Sequence, residues 1–471
     1  MAIIKTFATP GGKYVYDRET NALLSVSDAE YAACQRVEAG TAVEDDWQLL
    51  GRYKEQGYLN ESRLREIVHP ATEYMPFQLE NGVSQLTLQI CTKCNLRCSY
   101  CAYGGGYANQ RTHGDKTMPL ETIKKCVDFV MLRSRNVDKI ALGFYGGESL
   151  LEVDNIKACI SYVNETYHGR DVLYTITTNG TCLNDDIIQF LEKNSVSLLI
   201  SIDGPRELHN KHRVYASGEG SFDDIMKNVS YIKDHYPSYY KKISFITVVA
   251  PGTDFSCVND FLSADDVLSD SSGMQYSLVN SYGAKEDILY DDLYTLTFNF
   301  QVMKHLLAEL GMYSKDKTSK LFEANLTVLS RFYKGLSKGL LPEKAHPSGP
   351  CLPGAMRPFV DVDGRIFPCE RVSEGSEAMQ IGHIDTGFDI DKVEAMLNVG
   401  WLTKPECLAC WNFTHCSLCV AACDGDGQLS KEERLKHCYG SMVETLNTMV
   451  SVCMMLENGY DFDSKDKWRG R

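Results

Sequence analysis

The chain has 471 residues, 44% hydrophobic and 24% charged, an ordinary soluble composition with room for more than one domain. Its formal charge of −15, with no long basic stripe, excludes a nucleic-acid partner, whose phosphates would be repelled. No apolar run approaches the roughly 18 residues of a membrane helix.

The opening MAIIKTFATPGGKY has too short an apolar stretch for a signal peptide, with lysine after it rather than before it. The sequence therefore reads as cytoplasmic, without a membrane partner. Eighteen cysteines are then the anomaly. In a reducing compartment clustered cysteines point to metal or redox chemistry rather than disulfides.

Residues 1–78 hold strand-like pieces (GGKYVYD, ALLSVS), helical patterns at Asp28 to Glu38 and Asp45 to Glu55, and a Pro-bearing link, HPATEYMPF. Cys34, the one cysteine of this region, reads as a small buried residue. In residues 79–285, strand-like runs QLTLQI, KIALGFYG, LYTITTNG, VSLLISIDG, KISFITVV and MQYSLV alternate with helical stretches such as LETIKKCVDFVML and NDDIIQFLEKN. That alternation implies parallel βαβ units, and six of them suit an open, partial barrel of the α/β class. Active sites of such folds gather at the C-terminal ends of the strands. Residues 286–344 bridge onward through one long helix candidate, ILYDDLYTLTFNFQVMKHLLAEL. Residues 345–440 carry few periodic patterns but eight cysteines, and 441–471 read as a closing helix and tail.

CTKCNLRCSYC, residues 91–101, follows the first barrel strand. Read as two zinc knuckles, Cys91-x2-Cys94 and Cys98-x2-Cys101, it leaves three residues between knuckles that usually lie a dozen or more apart. Without Cys91 it becomes Cys94-x3-Cys98-x2-Cys101. Three thiolates in one loop hold three irons of a [4Fe–4S] cluster and leave the fourth open to a small molecule.

With Tyr100 before its last cysteine, this loop resembles the signature of the radical S-adenosylmethionine (SAM) superfamily. The resemblance extends along the chain. YGGE ends the second strand, where Gly146 and Gly147 allow close backbone approach and Glu148 is placed to accept from the SAM amino group. TTNGT ends the third strand, and SIDGPRELHNKHR the fourth. In similar enzymes the serine and arginine of that last motif, here Ser201 and Arg213, contact the SAM carboxylate and ribose. Met274, on the sixth strand, is put against the adenine. The resemblance implies reductive cleavage of SAM to methionine and a 5′-deoxyadenosyl radical, fed by a flavodoxin or ferredoxin, with the protein positioning the cofactor.

The tail reads Cys351-x12-Gly364-x4-Cys369, then Cys407-x2-Cys410-x5-Cys416, then Cys419, Cys423 and Cys438. This resembles the SPASM extension, which carries two auxiliary [4Fe–4S] clusters in enzymes that modify peptides and proteins, making three clusters in all. Usual members have a cysteine four positions after the Cys416 equivalent, which here is Val420. The expectation is an outer cluster on Cys407, Cys410, Cys416 and Cys438. The inner one takes Cys351, Cys369 and Cys423, with Cys419 either its fourth ligand or the substitute for Cys423. A zinc-stapled tail is the alternative. Glu370 follows Cys369 where related formylglycine-forming sulfatase maturases have a basic aspartate, which makes it a candidate proton acceptor.

Residues 1–78 resemble the winged-helix-like element that binds leader peptides of ribosomally made precursors, by adding a strand to a sheet edge. Together these features imply a peptide maturase, of the type that installs thioether (sactionine or ranthipeptide) cross-links in cysteine-rich precursors. Carbon–carbon cross-linking and sulfatase maturation are alternatives, and a zinc-bound scaffold is the alternative from another class. His209 and His212 are expected to shape the loop before Arg213. GGG at 104–106 and SGEGS at 217–221 read as loops, and Cys126, Cys159, Cys182, Cys257 and Cys453 as buried or inert.

Overall fold

The computed structural model describes residues 2–463 apart from 270, 319 and 338; the expected tail at 464–471 lies outside the described residues. The first three strands, β1 (Ile4–Ala8), β2 (Lys13–Asp17) and β3 (Ala22–Val26), form an antiparallel meander. Ser27 then starts helix Asp28–Glu38 with a reciprocal capping box to Glu30, which satisfies two backbone N–H groups the helix cannot. The expected helix from Asp45 to Glu55 is two, Glu44–Leu49 and Gly51–Glu55. The break falls beside Gly51, the weakest ordinary helix former. Ile4, Val15, Cys34, Leu50 and Leu59 close a core of their own beneath the meander.

A short strand, β4 (Glu66–Ile67), precedes the expected link, which runs into helix Met75–Asn81. Pro76 lies in that helix's first turn, where no intrahelical N–H is needed.

All six runs read as barrel strands are strands: β5 (Gln85–Cys91), β6 (Lys139–Gly146), β7 (Asp171–Thr178), β8 (Ser197–Ser201), β9 (Ser244–Val249) and β10 (Gly273–Leu278). They are parallel and neighbour one another in chain order, as right-handed βαβ crossovers require. Leu86, Leu88 and Ile90 of β5 pack in one core with Ile123, Val127 and Val130 of helix Leu120–Arg133. The long bridging helix begins at Asp292, because the Asp291 carboxylate caps it by accepting from the Tyr294 N–H at 2.9 Å.

The tail continues the same sheet. After β11 (Lys344–Ala345), which pairs with β4, strand β12 (Phe359–Val360) lies parallel beside β5, with Phe359 opposite Thr87 and Val360 opposite Leu88. Strands β13 (Arg365–Phe367), β14 (Gly382–His383) and β15 (Gly387–Phe388) follow antiparallel, giving an open ten-stranded sheet. The cysteine-rich tail thus attaches to the strand that carries the 91–101 loop. The last helix, Cys438–Glu457, packs Met449 and Cys453 against Phe7 and Tyr16 of the N-terminal meander. No helix among the described residues is long and apolar enough to cross a membrane.

Candidate functional site

Two kinds of cysteine emerge from β5. Cys91, its last residue, is fully buried, and its thiol lies 3.4 Å from the Glu148 carbonyl oxygen and 3.6 Å from that of Lys93. Those oxygens accept from a neutral S–H and would repel a thiolate, and burial pushes this thiol up to about 11 even though the Lys93 N–H opposes the rise. Cys94, Cys98 and Cys101 are surrounded by donors instead. The Leu96 N–H points at Cys94 Sγ from 3.4 Å, the Tyr103 N–H at Cys101, and Arg213 Nη1 lies 3.9 Å from Cys98 Sγ. N–H groups and a guanidinium around sulfur are what thiolate ligands of an iron–sulfur cluster need. Burial still pushes Cys94 up to about 12 and Cys98 to about 11, so loading the loop must release protons.

The YGGE glycines serve the loop itself. Gly146 has φ +136°, and a Cβ there would sit 2.2 Å from the Cys91 carbonyl oxygen; at Gly147 it would sit 1.8 Å from that of Lys93. The closely approaching partner that sequence reading assigned to a ligand is thus the backbone of the cysteine loop. The Gly147 and Glu148 N–H groups donate to those same two carbonyls at 3.0 and 2.7 Å. The Glu148 side chain, 1% exposed, accepts from Leu150 N, Thr178 Oγ1 and Asn179 N at 2.7–3.1 Å. Burial raises its affinity for a proton while these donors oppose the rise. Glu148 therefore ties the end of β6 to TTNGT at the end of β7. Asn179 Nδ2 in turn donates to Asn95 of the loop at 2.9 Å.

Ser201 ends β8, buried, as the sequence placed it. Arg213 reaches the same strand end, but its Nε donates to Asp203 Oδ2 at 3.0 Å and its guanidinium lies 5.6 Å from the Tyr100 ring. The Tyr100 hydroxyl donates to that same carboxylate. Asp203 is thus the hub that sequence reading missed. The signal was present, since a buried arginine demands a counter-ion and SIDG supplies an acid two residues after Ser201. His209 is fully buried between the Asp203 N–H and Ser221 Oγ, and burial lowers it to about 4. Met274 needs correction. It is the second residue of β10, paired with Phe245 and packed in the barrel core, away from the C-terminal strand ends where the site collects.

In the tail, Cys407, Cys410, Cys416 and Cys438 lie within electrostatic reach of one another. Cys351, Cys369 and Cys419 form a second set. Cys423 stands between, fully buried, facing Cys419, Cys438 and Arg434. Backbone N–H groups of Asn412 and Arg371 point at Cys410 and Cys369, the same donor pattern as in the barrel loop. Among the described residues no three Cys, His, Asp or Glu side chains converge on a single ion position. Glu370 is held by Arg357, with Nε 3.3 Å from Oε2 and a second contact to Oε1. Of the cysteines expected to be buried or inert, Cys257 is exposed and Cys182 half-buried; Cys126, Cys159 and Cys453 are buried.

Residues 88–264 match the family described as the Radical SAM superfamily. The chain contains a radical SAM domain. The presence of that domain indicates an enzyme that uses SAM. A cysteine-type anaerobic sulfatase-maturating enzyme of Clostridium novyi (strain NT) is 32% identical over 175 residues, covering 36% of this chain and 45% of that one. The chain thus spans under half the length of this curated relative. A solved structure of native anSMEcpe with bound AdoMet is 20% identical and covers 80% of this chain and 99% of that one, at TM-score 0.58. The same protein with AdoMet and Cp18Cys peptide is 19% identical over 78% of this chain and 99% of that one, at TM-score 0.53. These two likenesses show that the fold is shared with that protein over most of the chain.

Proposed function

We propose that this chain is a radical SAM enzyme that modifies a ribosomally made peptide, most specifically by forming thioether cross-links from cysteines. The observation that carries the SAM-cleaving part is the loop of Cys94, Cys98 and Cys101. Its three thiols are met by N–H donors and by Arg213 at the ends of β5 and β8, while Cys91 faces carbonyls. The cluster, when bound there, supplies the electron that cleaves SAM to methionine and a 5′-deoxyadenosyl radical.

The chain's own residues do the rest. Gly146 and Gly147 seat the loop on β6, Glu148 ties that strand end to β7, and Asn179 braces the loop from β7. Asp203 holds Tyr100 and Arg213 at the rim, where the guanidinium is poised for a carboxylate. In the tail, Cys407, Cys410, Cys416 and Cys438 would hold an outer auxiliary cluster and Cys351, Cys369 and Cys419 an inner one, with Cys423 spare. A flavodoxin or ferredoxin is the proposed electron donor.

Residues 1–78 would bind the leader of the precursor. Strand β3 pairs only with β2 in its sheet among the described residues, so its outer edge is the place where an extended peptide would add. The peptide bound in the anSMEcpe structure supports a peptide substrate. The Clostridium novyi relative favours a second reading, sulfatase maturation. Glu370 would be the proton acceptor in that reading, but it would have to leave its Arg357 pair.

Anaerobic reconstitution with iron and sulfide, then incubation with SAM, a reductant and a cysteine-rich precursor peptide carrying a leader, tests the proposal. The expected result is 5′-deoxyadenosine together with loss of two hydrogens per thioether formed in the peptide. Formylglycine in a sulfatase-derived peptide instead would select the second reading. A colourless zinc protein that leaves SAM intact would sink both.

A further inference from the structure

Arg434 lies in the six-residue helix Lys431–Lys436 and is 1% exposed. Its neighbours face outward: Lys431 pairs with Glu406, and Lys436 with Glu433. Arg434 turns inward. Its Nε donates to Thr403 Oγ1 at 3.1 Å, and Nη1 lies 3.5 Å from the Leu418 carbonyl oxygen and 3.6 Å from Cys423 Sγ. Thr403 Oγ1 is in turn 3.2 Å from Cys407 Sγ.

Among the described residues no carboxylate pairs with this guanidinium. The acidic groups within its electrostatic reach are thiols, Cys423 first and then Cys416 and Cys407. Cys407 and Cys438 feel its charge in return. Burying an unpaired cation costs several kcal/mol even after relaxation. A chain that keeps one among four gathered cysteines must supply the anion there, and thiolates around a cubane carry net negative charge.

We propose that Arg434 is the buried counter-ion of the outer auxiliary cluster, and that its charge holds that cluster's reduction potential up. The inference rests on the reading of the tail cysteines as cluster ligands. Reduction adds one negative charge to a site next to a fixed cation in a low-dielectric surrounding, so the cation favours the reduced state. Arg434 touches neither SAM nor substrate; it acts through the cluster it faces. Thr403 extends the same contact to Cys407, and Cys423 anchors the guanidinium from the inner side without being a ligand.

The test is a redox titration of the full reconstituted chain, followed by electron paramagnetic resonance with SAM present to mark the first cluster. The parent should hold about twelve irons. Arg434→Gln should keep them and lower one auxiliary midpoint by at least a tenfold change in its reduction equilibrium, about 59 mV for one electron, leaving the other two midpoints unmoved. Arg434→Lys, which keeps the charge, should move that midpoint much less, and Cys423→Ala should keep all the iron. A twelve-iron parent whose midpoints are unmoved in Arg434→Gln would overturn the inference alone. So would loss of four irons in both arginine variants, which would make Arg434 a purely structural residue. Loss of four irons in Cys423→Ala would make Cys423 a ligand and overturn the assignment to the outer cluster. A parent with about four irons would remove the auxiliary clusters and this inference with them.

Discussion

The barrel loop and the cysteine-rich tail gather their thiols by different means. The loop is held by backbone: two glycines, carbonyls of Cys91 and Lys93, and N–H groups of Gly147 and Glu148, all within one strand end of its neighbour. The tail is held by side chains drawn from far along the sequence. Arg18 of the N-terminal meander donates to the Leu408 and Cys410 carbonyls at 2.8 and 3.2 Å, and Arg434 reaches Thr403, Leu418 and Cys423. Backbone-held geometry tolerates few substitutions but needs no distant partner. Side-chain-held geometry depends on every segment that contributes. The two regions should therefore fail separately and for different reasons.

Removing ligands separates them most sharply. Cys94, Cys98 and Cys101 changed together to alanine should abolish 5′-deoxyadenosine and lower iron from about twelve to about eight per chain. Cys407, Cys410 and Cys416 changed together should lose a similar amount of iron yet still cleave SAM without peptide. Loss of SAM cleavage in the tail variant would show that the regions are not independent.

Gly147→Ala tests the backbone seat. A Cβ 1.8 Å from the Lys93 carbonyl oxygen cannot be accommodated without moving the loop, and a cost of about 4 kcal/mol or more is expected in denaturant unfolding. The first cluster should be lost and the tail clusters kept. Arg18→Met is the tail's counterpart. It leaves two part-buried carbonyls without their donor, at a cost of about 1 kcal/mol, and a chelator should strip outer-cluster iron faster while the first cluster resists.

Acid should weaken both regions, because each buries a neutral histidine. His209 in the barrel and His346 in the tail are both lowered by burial to about 4, below the unfolded value of about 6.5. Between those values the unfolded chain binds the extra proton, so stability falls as pH drops below about 6.5. The slope is up to about 1.4 kcal/mol per pH unit for each group. His209→Gln should flatten the acid limb of an unfolding profile; an unchanged limb would show that His209 is protonated in place. The smallest effect is Cys91→Ala. Loss of a buried thiol and its two carbonyl contacts should cost about 1–2 kcal/mol and leave iron content and SAM cleavage intact. A variant unable to cleave SAM would return Cys91 to the ligand set.

Much of this was legible in the chain because it is local. Six strands, the loop spacing and the strand-end motifs each lie within a dozen residues, where periodicity and covalent reach constrain the answer. The misreadings came where a residue's partner is remote. Met274 reads as the adenine contact on the sixth strand, but strand position, which only the sheet register reveals, puts it in the core. Glu370 follows its cysteine as a candidate base, but Arg357 claims it. Arg434 carries no signal at all in KEERLK, which reads as a solvated helix face.

By itself the sequence determined that a three-cysteine loop follows the first strand of an open parallel barrel, since hydrophobic alternation and thiol spacing are properties of a few consecutive residues. Only the tertiary structure decided that the tail adds strands beside that very loop through two residues of β12, too few to leave a periodic trace. It alone set Cys423 against Arg434, whereas Cys419 already stood with Cys351 and Cys369 in the resemblance. Which thiols share a site depends on distances between segments separated by tens of residues, and chain spacing does not encode those distances.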